Sequence, residues 1–400
     1  MRAAGAFPIV ESSWAEAADA LTSVQPDGIL LAEPTSDRKR AAALTQALAH
    51  RLEAGNDPFI PVLARIRDDG VVALPEALTI AAGAPGERIA QRFAAALRIR
   101  ALHGTVLRRT QTLASRGELP PELPRSDPLD EATVLVAGRG RSYPELAVGE
   151  RVGLVGALSF ETAARALNAR DIDGMVIGDG FAARVIEAML TVLAEDVRFR
   201  DLPVAVLGGR AGIVEQFAEH LPNLERVTEG PARLVERIVP FVRLHAFGER
   251  LKRMLKSLDA KGMIDPETGL LAHQAFWRDL NRAVDDAEKR GVGLSIARFC
   301  FVRGDRRVSL DAARLLGRLM RQVDFACRTM DNSIFAVFTE TDLREAHVIA
   351  RRIASVLKHT MLEPDRRRGN IETAITLATL KPTDNVASLL ARVVNEAAAG

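Results

Sequence analysis

Pro26-Asp-Gly-Ile-Leu-Leu-Ala-Glu33 and Ile172-Asp-Gly-Met-Val-Ile-Gly-Asp179 are two versions of one phrase, and Ile60-Pro-Val-Leu-Ala64 and Leu202-Pro-Val-Ala-Val206 are two versions of another. The spacing of roughly 145 residues is far too long for a solenoid unit and fits a duplicated domain. Each phrase is a short aliphatic run bounded by Pro, Gly or Asp, the pattern of a buried strand. Helical stretches separate them. Trp14 to Val24, with Trp14, Ala17, Ala18 and Leu21 on one face, and Ala41 to Leu52 lie in the first copy. Ser159 to Asn168, Ala182 to Leu193 and Gly212 to His220 lie in the second. Strand alternating with helix implies a mainly parallel, doubly wound sheet in each copy.

The copies span 1–110 and 131–243 in this reading. Between them, 111–130 is a linker, since Ser115 to Asp130 holds four prolines and several charges. A helix from about Ala232 to Asp259 follows the second copy. Beyond Pro240, Leu244, Phe247, Leu251, Met254 and Leu258 alternate three and four apart, a coiled-coil spacing. This makes 244–262 a stalk and predicts a homodimer through 244–258; a single amphipathic helix packed on its own chain has the same spacing. The last domain is 263–400.

Charge is nearly balanced, 54 basic against 52 acidic side chains, which gives no argument for a nucleic-acid partner. The two cysteines, Cys300 and Cys327, exclude a disulfide scaffold and form no zinc pattern with the seven histidines. No apolar run reaches the ~20 residues of a membrane span, and the first residues carry no signal-peptide core. The expectation is a soluble, bacterial-type cytoplasmic protein without a cofactor.

The last domain carries the most specific motifs. Asp265-Pro-Glu-Thr-Gly-Leu270, followed by a helix bearing Phe276, resembles the opening of a GGDEF domain, the diguanylate cyclase fold of α+β type. Arg321-Gln-Val-Asp324 resembles that family's RxxD product-binding motif. The resemblance implies cyclic di-GMP as the ligand of Arg321 and Asp324, with Arg352 of the next helix completing the site. Met330-Asp331-Asn332-Ser333-Ile334 stands where the Gly-Gly-Asp-Glu-Phe signature belongs. Asp331-Asn332 keeps a hairpin turn, but the glycines that admit nucleotide and the metal-binding acid pair are gone. Arg298 and Cys300 replace the acids of the first strand, and Arg303-Gly-Asp-Arg-Arg307 is a shortened loop. A cation where Mg²⁺ belongs argues against metal binding and cyclisation.

Both upstream copies resemble response-regulator receiver domains, which are flavodoxin-like. Ala32 and Gly178 stand at the phosphoacceptor position, so no phosphorylation is expected; Asp179, one residue on, is the one substitute acceptor. The whole chain thus resembles the receiver–receiver–GGDEF response regulators of two-component signal transduction. The resemblance implies a non-catalytic member, a pseudoenzyme acting through an unknown protein partner and binding cyclic di-GMP. An active cyclase with a rearranged site and a ligand-free dimeric scaffold are the alternatives. His347, His359 and the loop Asp365-Arg-Arg-Arg368 read as surface, Phe276 and Trp277 as packing, and Asp265 and Thr268 as a structural turn.

Overall fold

A computed structural model describes residues 8–32, 36–53, 57–67, 72–74, 76–123, 128–138, 149, 151–178, 180–208, 211–228, 231–302, 306–360 and 372–395. The chain divides into two compact units. The first combines Met1–Gly104 with Glu122–Lys252, and the second combines Thr105–Pro121 with Arg253–Gly400.

The first unit opens with α1 (Trp14–Ser23), β1 (Ile29–Leu31), α2 (Arg38–Glu53), β2 (Val62–Ile66), β3 (Leu78–Ala81) and α3 (Gly86–Ala114). Its three strands are parallel in the order β1-β2-β3. The second copy supplies β4 (Thr133–Ala137), β5 (Gly153–Ala157), α4 (Phe160–Ala169), β6 (Gly174–Ile177), α5 (Ala183–Glu195), β7 (Val204–Leu207), α6 (Ala211–Phe217), β8 (Leu224–Val227) and α7 (Pro231–Ala260). Its five strands are parallel in the order β5-β4-β6-β7-β8. Counted within the copy this is 2-1-3-4-5, the flavodoxin-like order. The expectation of a doubly wound sheet therefore holds in the second copy. In the first, the described residues supply only the counterparts of strands three, four and five.

The duplication goes deeper than the two phrases. Ser13 and Ser159 both cap their helices, with each hydroxyl accepting from the backbone N–H three residues on, Glu16 and Thr162. Gly28 and Gly174 are both forced by crowding. A Cβ would come within 2.7 Å of the Phe93 ring in one copy and of Val242 in the other. The preceding acids face the same long helices: Asp27 pairs with Arg100 at 3.2 Å, and Asp173 with His245 at 3.3 Å. α3 also ties the copies together within this unit. Its buried Arg92 donates to the backbone oxygens of Thr79, Pro222 and Leu224 and pairs with Glu225.

Two boundary expectations change. α3 continues through 110 to Ala114, and Thr112 is fully buried, so the first part of the expected linker is packed helix. α7 runs unbroken from Pro231 through Pro240 to Ala260. The seam expected to form a homodimer through 244–258 is already covered inside one chain. Phe247 packs edge-on against the rings of Phe59 and His103, and Leu251, Met254 and Leu258 are buried. The heptad spacing reports an intramolecular partner.

The second unit adds α8 (His273–Arg290), β9 (Leu294–Val302), α9 (Arg306–Leu319), β10 (Phe325–Arg328), β11 (Ile334–Thr339), α10 (Leu343–Thr360), β12 (Glu372–Thr379) and α11 (Val386–Asn395). Its sheet is antiparallel throughout, in the order β10-β11-β9-β12. The strands alternate between two cores. Leu294, Ile296, Phe335 and Val337 pack with Phe276 and Leu280 of α8 on one face. Ala297, Phe299, Ala336 and Phe338 pack with Leu316 and Ile353 on the other. Among the described residues, no helix is long and apolar enough to cross a membrane.

Candidate functional site

The signature position is a locked hairpin. β10 and β11 are joined by Thr329 to Ser333, with Asn332 in the left-handed region at φ 64°, a conformation asparagine tolerates. Thr329 donates its N–H to the Ser333 carbonyl at 2.9 Å. The Asp331 carboxylate faces back into the turn and accepts from Thr329 Oγ1, Ser333 N and Ser333 Oγ. Its second oxygen accepts from Arg298 Nη2 at 2.6 Å. Arg298 projects from β9, where it pairs with Phe335 across the ladder, and its Nε donates to Ser333 Oγ at 3.2 Å. Ser309 of α9 donates to the Asn332 carbonyl, and Arg328 to the Asn332 side chain. Met330 is left at the tip, 98% exposed.

This arrangement dictates the electrostatics. Partial burial pulls the Asp331 carboxyl upward, but hydrogen bonds from Thr329, Ser333 and Arg298 outweigh it and hold the group well below the usual carboxylate range. Burial pushes the Cys300 thiol up, with Arg298 opposing it, so Cys300 is a protonated thiol at neutral pH. Among the described residues, few oxygen donors for Mg²⁺ stand at this hairpin. The first-strand positions offer a guanidinium and a thiol, and the one hairpin carboxylate is neutralised by that guanidinium. Among the described residues, no group of three or more His, Cys, Asp or Glu could hold a metal ion.

Arg321 and Asp324 do come together, and they bond to each other. Arg321 Nε and Nη2 grip the Asp324 carboxylate in a fork, both at 2.8 Å. Nη2 also reaches the Thr339 carbonyl and Thr341 Oγ1, and Asp324 accepts the Thr339 N–H. The pair clips the start of β10 to the end of β11. The Asp324 side chain is 1% exposed and the Arg321 side chain 47%, so Asp324 faces inward while part of the guanidinium faces out. Arg352 lies on the exposed side of α10, and among the described residues no hydrogen bond joins it to either.

A third of the chain is similar to GGDEF domains. The coiled coil and GGDEF domain of DgcB from Caulobacter crescentus, in complex with c-di-GMP, is 21% identical, covering 37% of this chain and 84% of that one with a TM-score of 0.31. The GGDEF domain of FimX from Pseudomonas aeruginosa is 18% identical over 33% of this chain and 90% of that one, TM-score 0.29. The diguanylate cyclase SiaD from Pseudomonas aeruginosa, in complex with its activator SiaC, is 16% identical over 38% and 66%, TM-score 0.31. No protein-family model matches the chain, and no curated protein matches it.

The opening motif is structural, as expected. Asp265 accepts from Thr268 Oγ1 at 2.7 Å and from Glu267 N, and Gly269 takes the left-handed φ of 71° that closes the turn. Asp179, Glu33, Asp305 and Asp365 to Arg368 lie outside the described residues.

Sequence reasoning missed Asp279. It is fully buried in α8, on the same face as Phe276, Leu280 and Ala283. It pairs with Arg109 and accepts from Thr112 Oγ1 at 2.7 Å. Arg109 also approaches Asp259 at 3.4 Å. Burial pushes the Asp259 carboxyl up, Arg109 opposes that and Asp279 adds to it. The signal was present: an acid inside an apolar helical stripe requires a buried partner.

Proposed function

We propose that the chain is a GGDEF-type signalling protein that does not cyclise GTP, with two receiver-like copies upstream that take no phosphoryl group. The observation that carries this reading is the Arg298–Asp331 pair. In a cyclase the first-strand acids and the acids of the signature meet through metal; here a guanidinium stands on the strand, and Asp331, at a glycine position of the signature, bonds it directly. Removing one carboxylate and supplying a fixed cation lets the hairpin hold its shape with no ion and no nucleotide. Incubation of the full chain with GTP and Mg²⁺ or Mn²⁺ is expected to give no cyclic di-GMP above a no-protein control. Product above that control overturns the proposal and favours a rearranged active site.

The same reading assigns cyclic di-GMP to the Arg321 surface. Its support is the half-exposed guanidinium held rigid by Asp324, with Arg352 the cation that the sequence supplies on the exposed side of α10. Asp324 positions the arginine, and Arg321 and Arg352 contact ligand. Calorimetric titration of cyclic di-GMP is expected to give binding to the wild type that is lost in Arg321→Ala and weakened in Arg352→Ala. No heat with any of the three leaves a protein-binding scaffold.

A further inference from the structure

The two helix layers on the antiparallel sheet differ in charge. α9 and α10 cover one face and pack side by side over the core around Phe299 and Phe338. α9 holds four arginines and one acid, and α10 holds three arginines, one lysine and one acid. Eight cations against two anions leave the pair at +6, in a chain whose net charge is +2. α8 and α11 cover the other face and hold five cations and four anions, a net of +1. The surplus is therefore gathered on one face, which the balanced composition conceals. The sequence flanking the pair, 303–305 and 361–371, adds four arginines and three acids, so it brings no net negative charge to offset it.

Spacing turns this charge outward. Arg307, Arg314 and Arg318 are seven and four residues apart on α9, and Arg344, Arg351 and Lys358 are seven apart on α10, so each set forms one stripe. All six are exposed. Acids near these helices are already engaged: Glu267 accepts from Arg306 at 2.7 and 2.8 Å, and Glu340 pairs with Arg290 at 2.7 Å. Arg307, Arg318, Arg344, Arg351, Arg352 and Lys358 make no hydrogen bond or ion pair with any described residue. Arg314 and Arg318 are like charges one turn apart, an arrangement that is unfavourable until an anion lies over it. Aliphatic side chains interrupt the stripe of α10. Val348 is 65% exposed, one turn from Arg344, Arg351 and Arg352, and Leu343 is 46% exposed at the helix start.

We propose that the face formed by α9 and α10 docks on an anionic lipid surface. Guanidinium and ammonium groups meet headgroup phosphates, and Val348 and Leu343 enter the acyl boundary beneath them. Such a contact lies along the membrane and needs no spanning helix. A nucleic acid would meet the same cations, but it has no use for exposed aliphatic side chains among them. Neither helix holds an aromatic residue on which bases could stack. The lipid surface accounts for both the charge and the aliphatics.

The test is co-sedimentation of the full chain with vesicles of phosphatidylcholine, alone or with about one-third phosphatidylglycerol. The wild type is expected to bind only the anionic vesicles, and less as salt is raised. Combining Arg307→Glu, Arg318→Glu and Arg351→Glu is expected to lower binding by about tenfold or more, with little change in the unfolding midpoint, since all three side chains are exposed. Arg321 and Arg352 stay intact, so the cyclic di-GMP assignment is tested separately. Val348→Ser is expected to lower vesicle binding severalfold and to leave affinity for a nucleic-acid duplex as it is. Equal binding to neutral vesicles, or full binding by the triple variant, overturns the face. Undiminished vesicle binding by Val348→Ser overturns the lipid contact. A wild type that binds the duplex and ignores vesicles replaces lipid with nucleic acid.

Discussion

The second unit holds two arginine–aspartate pairs that look alike as hydrogen-bond lists and differ in what they do. Arg321–Asp324 is local, three residues apart, with the acid buried and the cation half out. Arg298–Asp331 spans 33 residues, with the cation mostly covered and the acid half out. The first clips two strand ends and leaves a guanidinium to solvent. The second uses up its guanidinium to brace a turn. One pair leaves about half of its guanidinium to solvent, and the other keeps its guanidinium mostly covered.

The largest expected effect comes from the buried acid. Asp324→Ala strands Arg321 and removes the acceptor for the Thr339 N–H, and is expected to cost about 2–3 kcal/mol in urea denaturation. A loss below about 0.5 kcal/mol would make the pair a surface ornament and remove the contrast. Arg298→Ala is expected to cost about 1 kcal/mol, because Asp331 can turn to water. Its sharper signature is faster amide exchange from Thr329 to Ser333, with the rest of β10 and β11 unchanged. The pH dependence has a definite sign. The Asp331 carboxyl is depressed on folding, so its contribution is complete above about pH 4, its unfolded range, and is lost as pH falls toward the folded value. The stability gap between wild type and Asp331→Asn should therefore be level from pH 8 to 5 and close toward pH 2. A gap that widens on acidification would reverse the assignment. The smallest effect is at the tip: Met330→Ser should shift stability by less than about 0.5 kcal/mol, since its side chain touches little.

What the sequence revealed follows from how local each feature is. Strand phrases and the turn at Asp331-Asn332 are written within a few residues and were readable; the Arg321–Asp324 fork is just as local, yet the sequence reading took both residues as ligand contacts. The Arg298–Asp331 bond needs the β9–β11 register, and no composition or spacing encodes that. The seam from Phe247 to Leu258 shows the same limit. Heptad spacing says that a helix face is covered and does not say by what; Phe59 and His103 answer within the chain. Asp279 was legible in principle, as an acid in an apolar stripe, but its partners Arg109 and Thr112 lie some 170 residues upstream.

The discontinuity of the second unit bears on how the protein can be dissected. Met263 looks like a natural cut point, just ahead of the Asp265 turn. A fragment starting there would keep every strand of the antiparallel sheet, yet lose Arg109 and Thr112 and leave the Asp279 carboxylate and the apolar face around it without their cover. Such a piece should fold poorly or recruit water into its core. A portable C-terminal module should therefore carry its foundations too, Thr105–Pro121, which lie more than a hundred residues earlier in the chain.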